Sequence, residues 1–359
     1  MSAFFKPRLI NDQFDDPGVF VPLCFEKRAM LFDLGDIGAL SARDILKISH
    51  IFVSHTHMDH FVGFDRLLRL FLGRNKTLFI YGPKGFFQNL AGKLASYTWN
   101  LVEKFTNNFT IQAFEVHPDR ILTCTFTCCS GFIAGQSSTL QFKDNILLAE
   151  PSITVYCNIL DHGIPCLGFS LKERFHISIK KASLEKLGLK PGPWLARFKD
   201  AVYNGLDPAQ PFEVDFEVNH NDNKMRKIFQ LQELIDNIAL ITPGQKITYI
   251  TDVLYSPENK EKMLQLGKNS SHLFIEAAFL EKDKSIAAAK FHLTAAQAGH
   301  IAALAGAKKL TIFHFSPRYT GMKDILEKEA MSAYKALDHT DAQRLRPGKG
   351  LDGFIMGIS

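Results

Sequence analysis

Residues that can bind a metal ion follow short apolar segments at several places along this chain of 359 residues. Each segment predicts a β-strand, because it is rich in β-branched or aromatic side chains and is bounded by turn-forming residues. The predicted strands cover residues 29–34, 50–54, 77–81, 154–160, 247–251, 272–277 and 310–315. Metal-capable side chains stand at the ends of four of them, namely His55, His162, Asp252 and His314. Since ligand sites in layered α/β proteins gather where strands end, the pattern favours a single site at the edge of a sheet.

The densest cluster of such residues is the segment 55–60, which reads H-T-H-M-D-H. Its ligand-type side chains are those of His55, His57, Asp59 and His60. Neutral imidazole nitrogens and carboxylate oxygens are standard zinc ligands. On an extended loop, alternate residues such as His55 and His57 can point to one side, and the last two members can reach a second ion. The segment therefore predicts a binuclear metal site.

One cluster cannot saturate two ions, so further ligands must come from other strand ends. His162, Asp252 and His314 are the candidates, because each stands where an apolar strand ends. An aspartate shared by two ions about 3.5–4 Å apart is a common binuclear arrangement. Asp252 suits that place best, since a carboxylate buried there without a partner would be costly.

A helix is predicted to begin shortly after His292. Thr294 and Gln297 form a T-x-x-Q capping box, and an apolar stripe follows before Gly306. His292 is therefore expected on the loop ahead of the helix, where its ring can face a cleft.

The composition changes between about residues 171 and 244. Residues 172–199 contain eight Lys or Arg against two Glu, and a more acidic stretch follows. A turn formed by Pro191, Gly192 and Pro193 lies inside the basic part. Because metal-capable residues occur on both sides of it, segment 171–244 is interpreted as an inserted, projecting arm of one domain comprising residues 1–359. An ordinary surface excursion with solvated charges is the alternative.

Net charge, cysteine content and the length of apolar segments indicate where the protein works and what it could bind. The net charge of +5 and the pI of about 8.7 are compatible with an anionic partner such as RNA, but many basic enzymes have none. Six cysteines without a regular framework favour reduced, mostly buried thiols. No segment approaches the roughly 20 apolar residues that span a bilayer, and the N-terminus lacks a signal-like apolar run. We therefore expect a cytoplasmic protein without a membrane partner.

Several motifs together resemble those of a known enzyme family. The H-x-H-x-D-H motif resembles that of the metallo-β-lactamase superfamily, and the later motifs resemble ribonuclease Z, the endonuclease family that trims tRNA 3′ ends. In order, the later motifs are 81–85 (YGPKG), 161–169 (DHGIPCLGF), 189–193 (LKPGP), Asp252, 292–295 (HLTA) and 314–319 (HFSPRY). The resemblance extends from about residue 50 to 320, and the chain is identified as a divergent member.

The resemblance implies an α+β fold, in which two β-sheets lie between outer helices as a four-layer αββα sandwich with an inserted arm. It also implies a homodimer with two Zn²⁺ ions, for which Mn²⁺ or Fe²⁺ are alternatives. One ion would take His55, His57 and His162. The other would take Asp59, His60 and His314, and Asp252 would bridge the two ions.

The implied activity is that of a zinc-dependent phosphodiesterase, an endoribonuclease that removes 3′ trailers from precursor tRNA by metal-activated water. Asp59 would accept the proton of that water. His292 would donate a proton to the leaving ribose oxygen, and Glu276 would orient His292. General acid catalysis of this kind typically increases the reaction rate by about 10²–10⁴-fold.

The expected substrate contacts lie in two places. Ser316, Arg318 and Tyr319 follow a predicted ligand and offer hydroxyls and a guanidinium for phosphate. A structural role is the alternative for Arg318 and Tyr319. The arm, with its Pro-Gly-Pro turn, is a candidate surface for the tRNA backbone outside the active site.

This chain also departs from the family pattern. No Gly-rich loop occurs among residues 1–30, Thr251 and Val253 flank Asp252 where Gly and Thr are usual, and Ile275 replaces a His before Glu276. These changes leave the ligand-type residues intact but alter the expected substrate pocket. A small-molecule phosphodiesterase, or less favourably a thioesterase or lactonase, is therefore the alternative enzyme. A non-catalytic RNA-binding relative is disfavoured, because such relatives should lose metal ligands.

Overall fold

The computed structural model describes residues 4–24, 26–217 and 224–336. Its first sheet contains eight described strands in chain order. They are β1 Arg8–Leu9, β2 Val19–Leu23, β3 Arg28–Phe32, β4 Ile48–Phe52, β5 Lys76–Pro83, β6 Phe109–Val116, β7 Arg120–Thr127 and β8 Ser138–Gln141. Strands β3 to β6 pair in parallel, and the outer pairs are antiparallel. The carboxyl ends of β3 to β6 therefore meet at one edge.

The remaining strands form the second sheet and two small sheets. They are β9 Ile146–Ala149, β10 Ile153–Asp161, β11 Pro165–Glu173, β12 Phe175–Ile179, β13 Pro211–Glu217, β14 Lys224–Gln230, β15 Ala239–Pro243, β16 Lys246–Ile250, β17 His272–Glu276 and β18 Leu310–Phe313. The second sheet has the order β18-β17-β16-β11-β10-β9. Strands β16, β17 and β18 are parallel, and β10 runs in the same direction because both β10 and β16 are antiparallel to β11.

Helices cover the outer faces of both large sheets. They are α1 Ala42–Ile45, α2 Met58–Phe61, α3 Phe64–Phe71, α4 Phe86–Ala95, α8 Pro257–Gly267, α9 Lys284–Ala289, α10 Ala295–Leu304 and α11 Lys323–Ala336. Three further helices, α5 Lys181–Lys186, α6 Trp194–Tyr203 and α7 Leu231–Ile238, lie in segment 171–244. In α3, Phe64, Leu67, Leu68 and Phe71 form a buried face at helical spacing. This face joins the core on the outside of the first sheet, and residues of α8, α10 and α11 join the core on the outside of the second.

The two large sheets pack against each other through an aromatic core. Phe32 of the first sheet lies 5.7 Å from Phe169 and 5.8 Å from Tyr249 of the second, measured between ring centroids. All three side chains are buried. Burying one such ring contributes about 1.5–3 kcal/mol, so this layer holds the sheets together. The order helix, sheet, sheet, helix confirms the predicted four-layer αββα arrangement.

Segment 171–244 begins in β11 and returns to the second sheet just before β16. Within its described part, β12 pairs with β15 and β13 with β14, both antiparallel. Trp194, Phe198 and Leu234 belong to a hydrophobic cluster formed by this segment alone. The segment is hereafter called the excursion, and its residues 218–223 lie outside the described part. Its interpretation as an arm stays a prediction.

All seven predicted strands are confirmed, with ends displaced by no more than two residues. The capping box of Thr294 and Gln297 is also confirmed at the start of α10. Strands such as β6 and β11 were not among those predicted. Across the described ranges, no helix combines the length and apolar character needed to cross a bilayer.

Candidate metal centre

The strands bring the predicted ligands together at one edge of the sandwich. His55 lies just after β4 in the first sheet, and His162, Asp252 and His314 lie just after β10, β16 and β18 in the second. Since these strands run in the same direction within each sheet, their carboxyl ends converge there. Glu276, the last residue of β17, arrives at the same edge.

The ligand atoms of these residues form adjoining groups. One group contains His55, His57, His162 and Asp252, and another contains Asp59, His60 and His314; within each, the atoms lie within 4.8 Å of one another. The structure therefore gathers all seven side chains that the sequence suggested as ligands.

Asp252 stands between the two groups. Its Oδ2 lies 3.6 Å from His55 Nε2, 3.4 Å from His162 Nε2 and 3.5 Å from His60 Nε2. Its Oδ1 lies 3.0 Å from His314 Nδ1. No other carboxylate among the described residues is this close to histidines of both groups, so the geometry suits a shared ligand.

The residues fit a metal ion because several buried nitrogens lack a hydrogen-bond partner. These atoms are His55 Nε2, His60 Nε2 and His314 Nδ1; the last is close to Asp252 but without hydrogen-bond geometry. Buried polar atoms almost always have partners, so unsatisfied nitrogens aimed into one space indicate a missing ligand. A divalent ion that accepts imidazole lone pairs would satisfy them.

The other ring nitrogen of each histidine is held by the protein. His60 Nδ1 lies 2.7 Å from Asp33 Oδ2, and His162 Nδ1 lies 2.8 Å from the carbonyl oxygen of Phe291. His55 Nδ1 lies 3.0 Å from Ser54 Oγ. Such contacts fix the ring orientation and the tautomer that a metal ligand needs.

Asp33 is the site residue that the sequence interpretation missed. It is fully buried and accepts hydrogen bonds from Ser54 N at 2.6 Å, Ser54 Oγ at 2.8 Å and the Tyr249 hydroxyl at 2.7 Å, besides its contact with His60. Its position directly after β3 follows the same strand-end rule as the predicted ligands. Because the predicted strand 29–34 includes Asp33, this carboxylate did not stand out as a residue at a strand end.

The electrostatics of the centre couple histidine protons to the carboxylates. Burial lowers the pKa of His60, but the carboxylates of Asp252 and Asp33 outweigh burial and raise it well above its usual value. Burial also lowers the pKa of His314, yet Asp252 raises it to about 10. Burial and the neighbouring His60 lower the pKa of His55 to about 2. A divalent ion would replace the protons on His60 and His314, because a metal ligand must be deprotonated.

His292 and Glu276 form a hydrogen-bonded pair beside the centre. His292 Nδ1 lies 2.9 Å from Glu276 Oε2, and Glu276 Oε1 accepts from Val253 N at 2.7 Å. Burial lowers the pKa of His292, but Glu276 outweighs burial and raises it. His292 is half-buried, and its ligand atom lies within 4.8 Å of those of Asp252 and His314. The pair can hold a proton at the edge of the centre.

Strained backbone is concentrated at this edge. Asp33, Asp252, Phe291 and His314 have φ angles of 56°, 42°, 59° and 62°. Non-glycine residues rarely adopt such angles, and each costs about 1–3 kcal/mol. The surrounding contacts must hold these residues in place, as is typical of functional sites.

The predicted substrate-binding residues lie in different environments. Ser316 and Arg318 flank the start of a short 3₁₀ helix after His314, and the Arg318 side chain is 52% exposed. Tyr319 is buried, and its hydroxyl contacts Asp283 and Leu280 N, so its observed contacts are structural. Pro191, Gly192 and Pro193 lead into α6 of the excursion, and both prolines are exposed.

Comparisons with known proteins agree with this geometry. No protein-family model matches the chain. The curated Ribonuclease Z of Bacteroides fragilis is 30% identical over 295 residues, which cover 80% of this chain and 78% of that protein. The Ribonuclease Z of Deinococcus radiodurans is 28% identical over 298 residues, covering 81% of this chain and 83% of the relative.

Among solved structures, the metallo-β-lactamase fold protein YhfI from Bacillus subtilis is similar, with a TM-score of 0.51 and 16% sequence identity. The likeness covers 92% of this chain and 93% of that one. At this identity it bears on the fold alone, and it identifies the four-layer sandwich as a metallo-β-lactamase fold.

Proposed function

Because this chain belongs to the ribonuclease Z family, we propose that it is a zinc-dependent endoribonuclease that removes 3′ trailers from precursor tRNA. One observation carries the proposal. Seven ligand-type side chains converge around unpartnered buried nitrogens, next to a His–Glu pair that can hold a proton. Metal-assisted hydrolysis of a phosphodiester can use both parts, the ions to activate water and the proton donor to protonate the leaving oxygen.

We assign the ligands of two Zn²⁺ ions as follows. His55, His57 and His162 would hold one ion, Asp59, His60 and His314 would hold the other, and Asp252 would be available to both. The two groups of ligand atoms support this division. Mn²⁺ and Fe²⁺ accept the same imidazole and carboxylate donors and are the alternatives.

When bound, two such ions supply Lewis-acid stabilisation of negative charge and make water nucleophilic at neutral pH. His292 then provides the proton that the leaving ribose oxygen requires, a role favoured by Glu276, which raises the pKa of the His292 imidazole. The Glu276 contact at Nδ1 leaves the Nε2 proton for donation. The Asp59 carboxylate accepts the proton that the attacking water loses.

We propose that two regions of the protein contact the RNA. Ser316 and Arg318 are proposed to contact phosphate near the scissile bond, because they follow His314 closely in sequence. The basic part of the excursion, with Pro191, Gly192 and Pro193 at the start of α6, is proposed to follow the tRNA backbone. The family resemblance further supports a cytoplasmic homodimer.

The test is cleavage of a 3′-extended precursor tRNA by the purified, metal-loaded protein. We expect a discrete cut near the discriminator nucleotide that is lost in Asp252→Ala. Glu258→Ala is the matched control, because the Glu258 side chain is 78% exposed on α8 and should leave cleavage unchanged. If the wild-type protein hydrolyses a small phosphodiester but leaves the precursor intact, the function moves to a small-molecule phosphodiesterase.

A further inference from the structure

Apolar side chains are exposed at the rim of the candidate metal centre. Phe291, which directly precedes His292, is 37% exposed. Ile164, two residues after His162, is 41% exposed. Single exposed apolar residues are ordinary on protein surfaces. These two differ because both belong to the loops that carry a proposed ligand and the proposed proton donor.

Phe291 is held against the turn that carries His162. Its carbonyl oxygen lies 2.8 Å from His162 Nδ1, and its backbone has a φ of 59°. Its ring lies on Gly163, where an added Cβ would be 3.3 Å from the ring edge. Gly163 itself has a φ of 73°, so glycine suits this turn for two reasons. The ring is therefore supported from one side and accessible from the other.

An accessible, fixed aromatic ring beside a phosphodiester site suits a particular part of an RNA substrate. Unpaired RNA is commonly bound by stacking its bases on aromatic side chains, and each stacked base contributes a substantial part of the affinity. The scissile phosphate must come within reach of His292, the neighbour of Phe291. A base flanking that phosphate is thus the substrate group that can reach the ring.

We propose that Phe291 and the Gly163 turn beneath it form a nucleobase subsite for the unpaired base that flanks the scissile phosphate. The inference rests on the proposed function. Because a phenyl ring has no hydrogen-bonding group, the subsite accepts any of the four bases and discriminates against a missing one.

A double-mutant cycle tests this subsite. Precursor tRNAs with an intact base or an abasic nucleotide on either side of the cut are cleaved by the wild type, Phe291→Ala and Phe291→Trp under single-turnover conditions. Phe291→Ala should slow cleavage of the intact RNA roughly 5- to 100-fold, the range expected for loss of one stacked base. On the abasic RNA at one flanking position, the same substitution should have almost no further effect. Phe291→Trp, which keeps an aromatic surface, should cleave the intact RNA at close to the wild-type rate.

The controls separate stacking from other roles. Phe291→Ala keeps the backbone carbonyl that contacts His162, so its metal content should equal that of the wild type. Ile133→Ala, at a side chain that is 73% exposed, should behave as the wild type on every RNA. If Phe291→Ala slowed cleavage by the same factor on the intact RNA and on both abasic RNAs, the subsite would be overturned. The proposed function would still stand. A wild-type protein that fails to cut the intact precursor would remove both.

Discussion

Two buried histidine–carboxylate pairs in this protein look alike but lie in regions with different tasks. At the metal centre, His60 Nδ1 lies 2.7 Å from Asp33 Oδ2. At the base of the excursion, His176 Nδ1 lies 2.8 Å from Glu173 Oε1. Both carboxylates are fully buried, and each accepts further hydrogen bonds from the protein.

The difference lies at the second ring nitrogen. His60 Nε2 is buried without a hydrogen-bond partner and faces the ligand atoms of Asp59 and Asp252. His176 instead lines a cavity of about 410 Å³ between the excursion and the body of the protein. A histidine–carboxylate pair alone therefore does not identify a functional site. The unpartnered nitrogen of His60 identifies one, because burying a polar atom without a hydrogen bond is costly and a metal ion would compensate that cost.

The largest expected effect comes from removing that nitrogen. His60→Asn keeps a donor near the Nδ1 position for Asp33 but lacks Nε2. We expect loss of bound metal, measured by elemental analysis, and a drop in RNA cleavage on the order of 10⁴-fold, because residues of a metal site act as a unit. His176→Asn is the matched control and should keep both metal and cleavage. Equal loss of metal in the two variants would erase the distinction between the pairs.

The next effect concerns the pair formed by His292 and Glu276. His292→Ala should lower turnover by about 10²–10⁴-fold, since a general acid is lost. Its metal content should stay at the wild-type level, in contrast to His60→Asn. If His292→Ala released metal, His292 would be a ligand and not a proton donor.

Glu276→Gln tests the same pair through its pH dependence. The pH at which turnover falls on the alkaline side should move to a lower value, because Glu276 raises the pKa of His292.

At the base of the excursion the effect should be on stability. His176→Ala leaves the buried Glu173 carboxylate without one of its partners, which costs about 1–3 kcal/mol of the free energy of unfolding. The decrease is measurable by denaturant titration of the metal-loaded protein. Cleavage and metal content should remain unchanged below the new unfolding midpoint. An unaltered midpoint would indicate that the pair is dispensable.

A buried histidine without a carboxylate partner gives an effect of similar size that depends on pH. His50 stacks on Phe79 at 4.8 Å, and burial lowers its pKa to about 4. Between the unfolded pKa of about 6.5 and pH 4, the unfolded state binds more protons, so stability falls as pH falls through this window. His50→Phe retains the stacking and should reduce the loss between pH 7 and pH 4.5 by about 1–3 kcal/mol. Parallel stability–pH curves for the two proteins would contradict this.

The smallest effect belongs to a single charge of the excursion. Lys186 is exposed in its basic part. If Lys186 contacts a tRNA phosphate, Lys186→Ala should weaken RNA binding a few-fold and lower the slope of log affinity against log salt by roughly 0.7–0.9. Lys309→Ala, exposed just before β18, is the control and should leave the slope unchanged. An unchanged slope in Lys186→Ala as well would remove this residue from the proposed RNA path.

The sequence alone determined the parts of the site that are local. Ligand-type residues at the ends of predicted strands, the 55–60 cluster and the capping box after His292 could be recognised because each signal spans a few residues. The recurrence of such residues at strand ends favoured one site at the edge of a sheet. The motif resemblance added Glu276, which no local pattern of the chain identifies.

Only the tertiary structure decided the contacts that join distant segments. The Tyr249 hydroxyl reaches Asp33 across 216 residues of sequence, and His314 reaches Asp59 across 255. Burial of Tyr319 and the unpartnered nitrogens of His55 and His60 are likewise products of packing. Desolvation and hydrogen-bond satisfaction depend on all the atoms that surround a group, and most of those atoms come from chain segments that the local sequence does not contain.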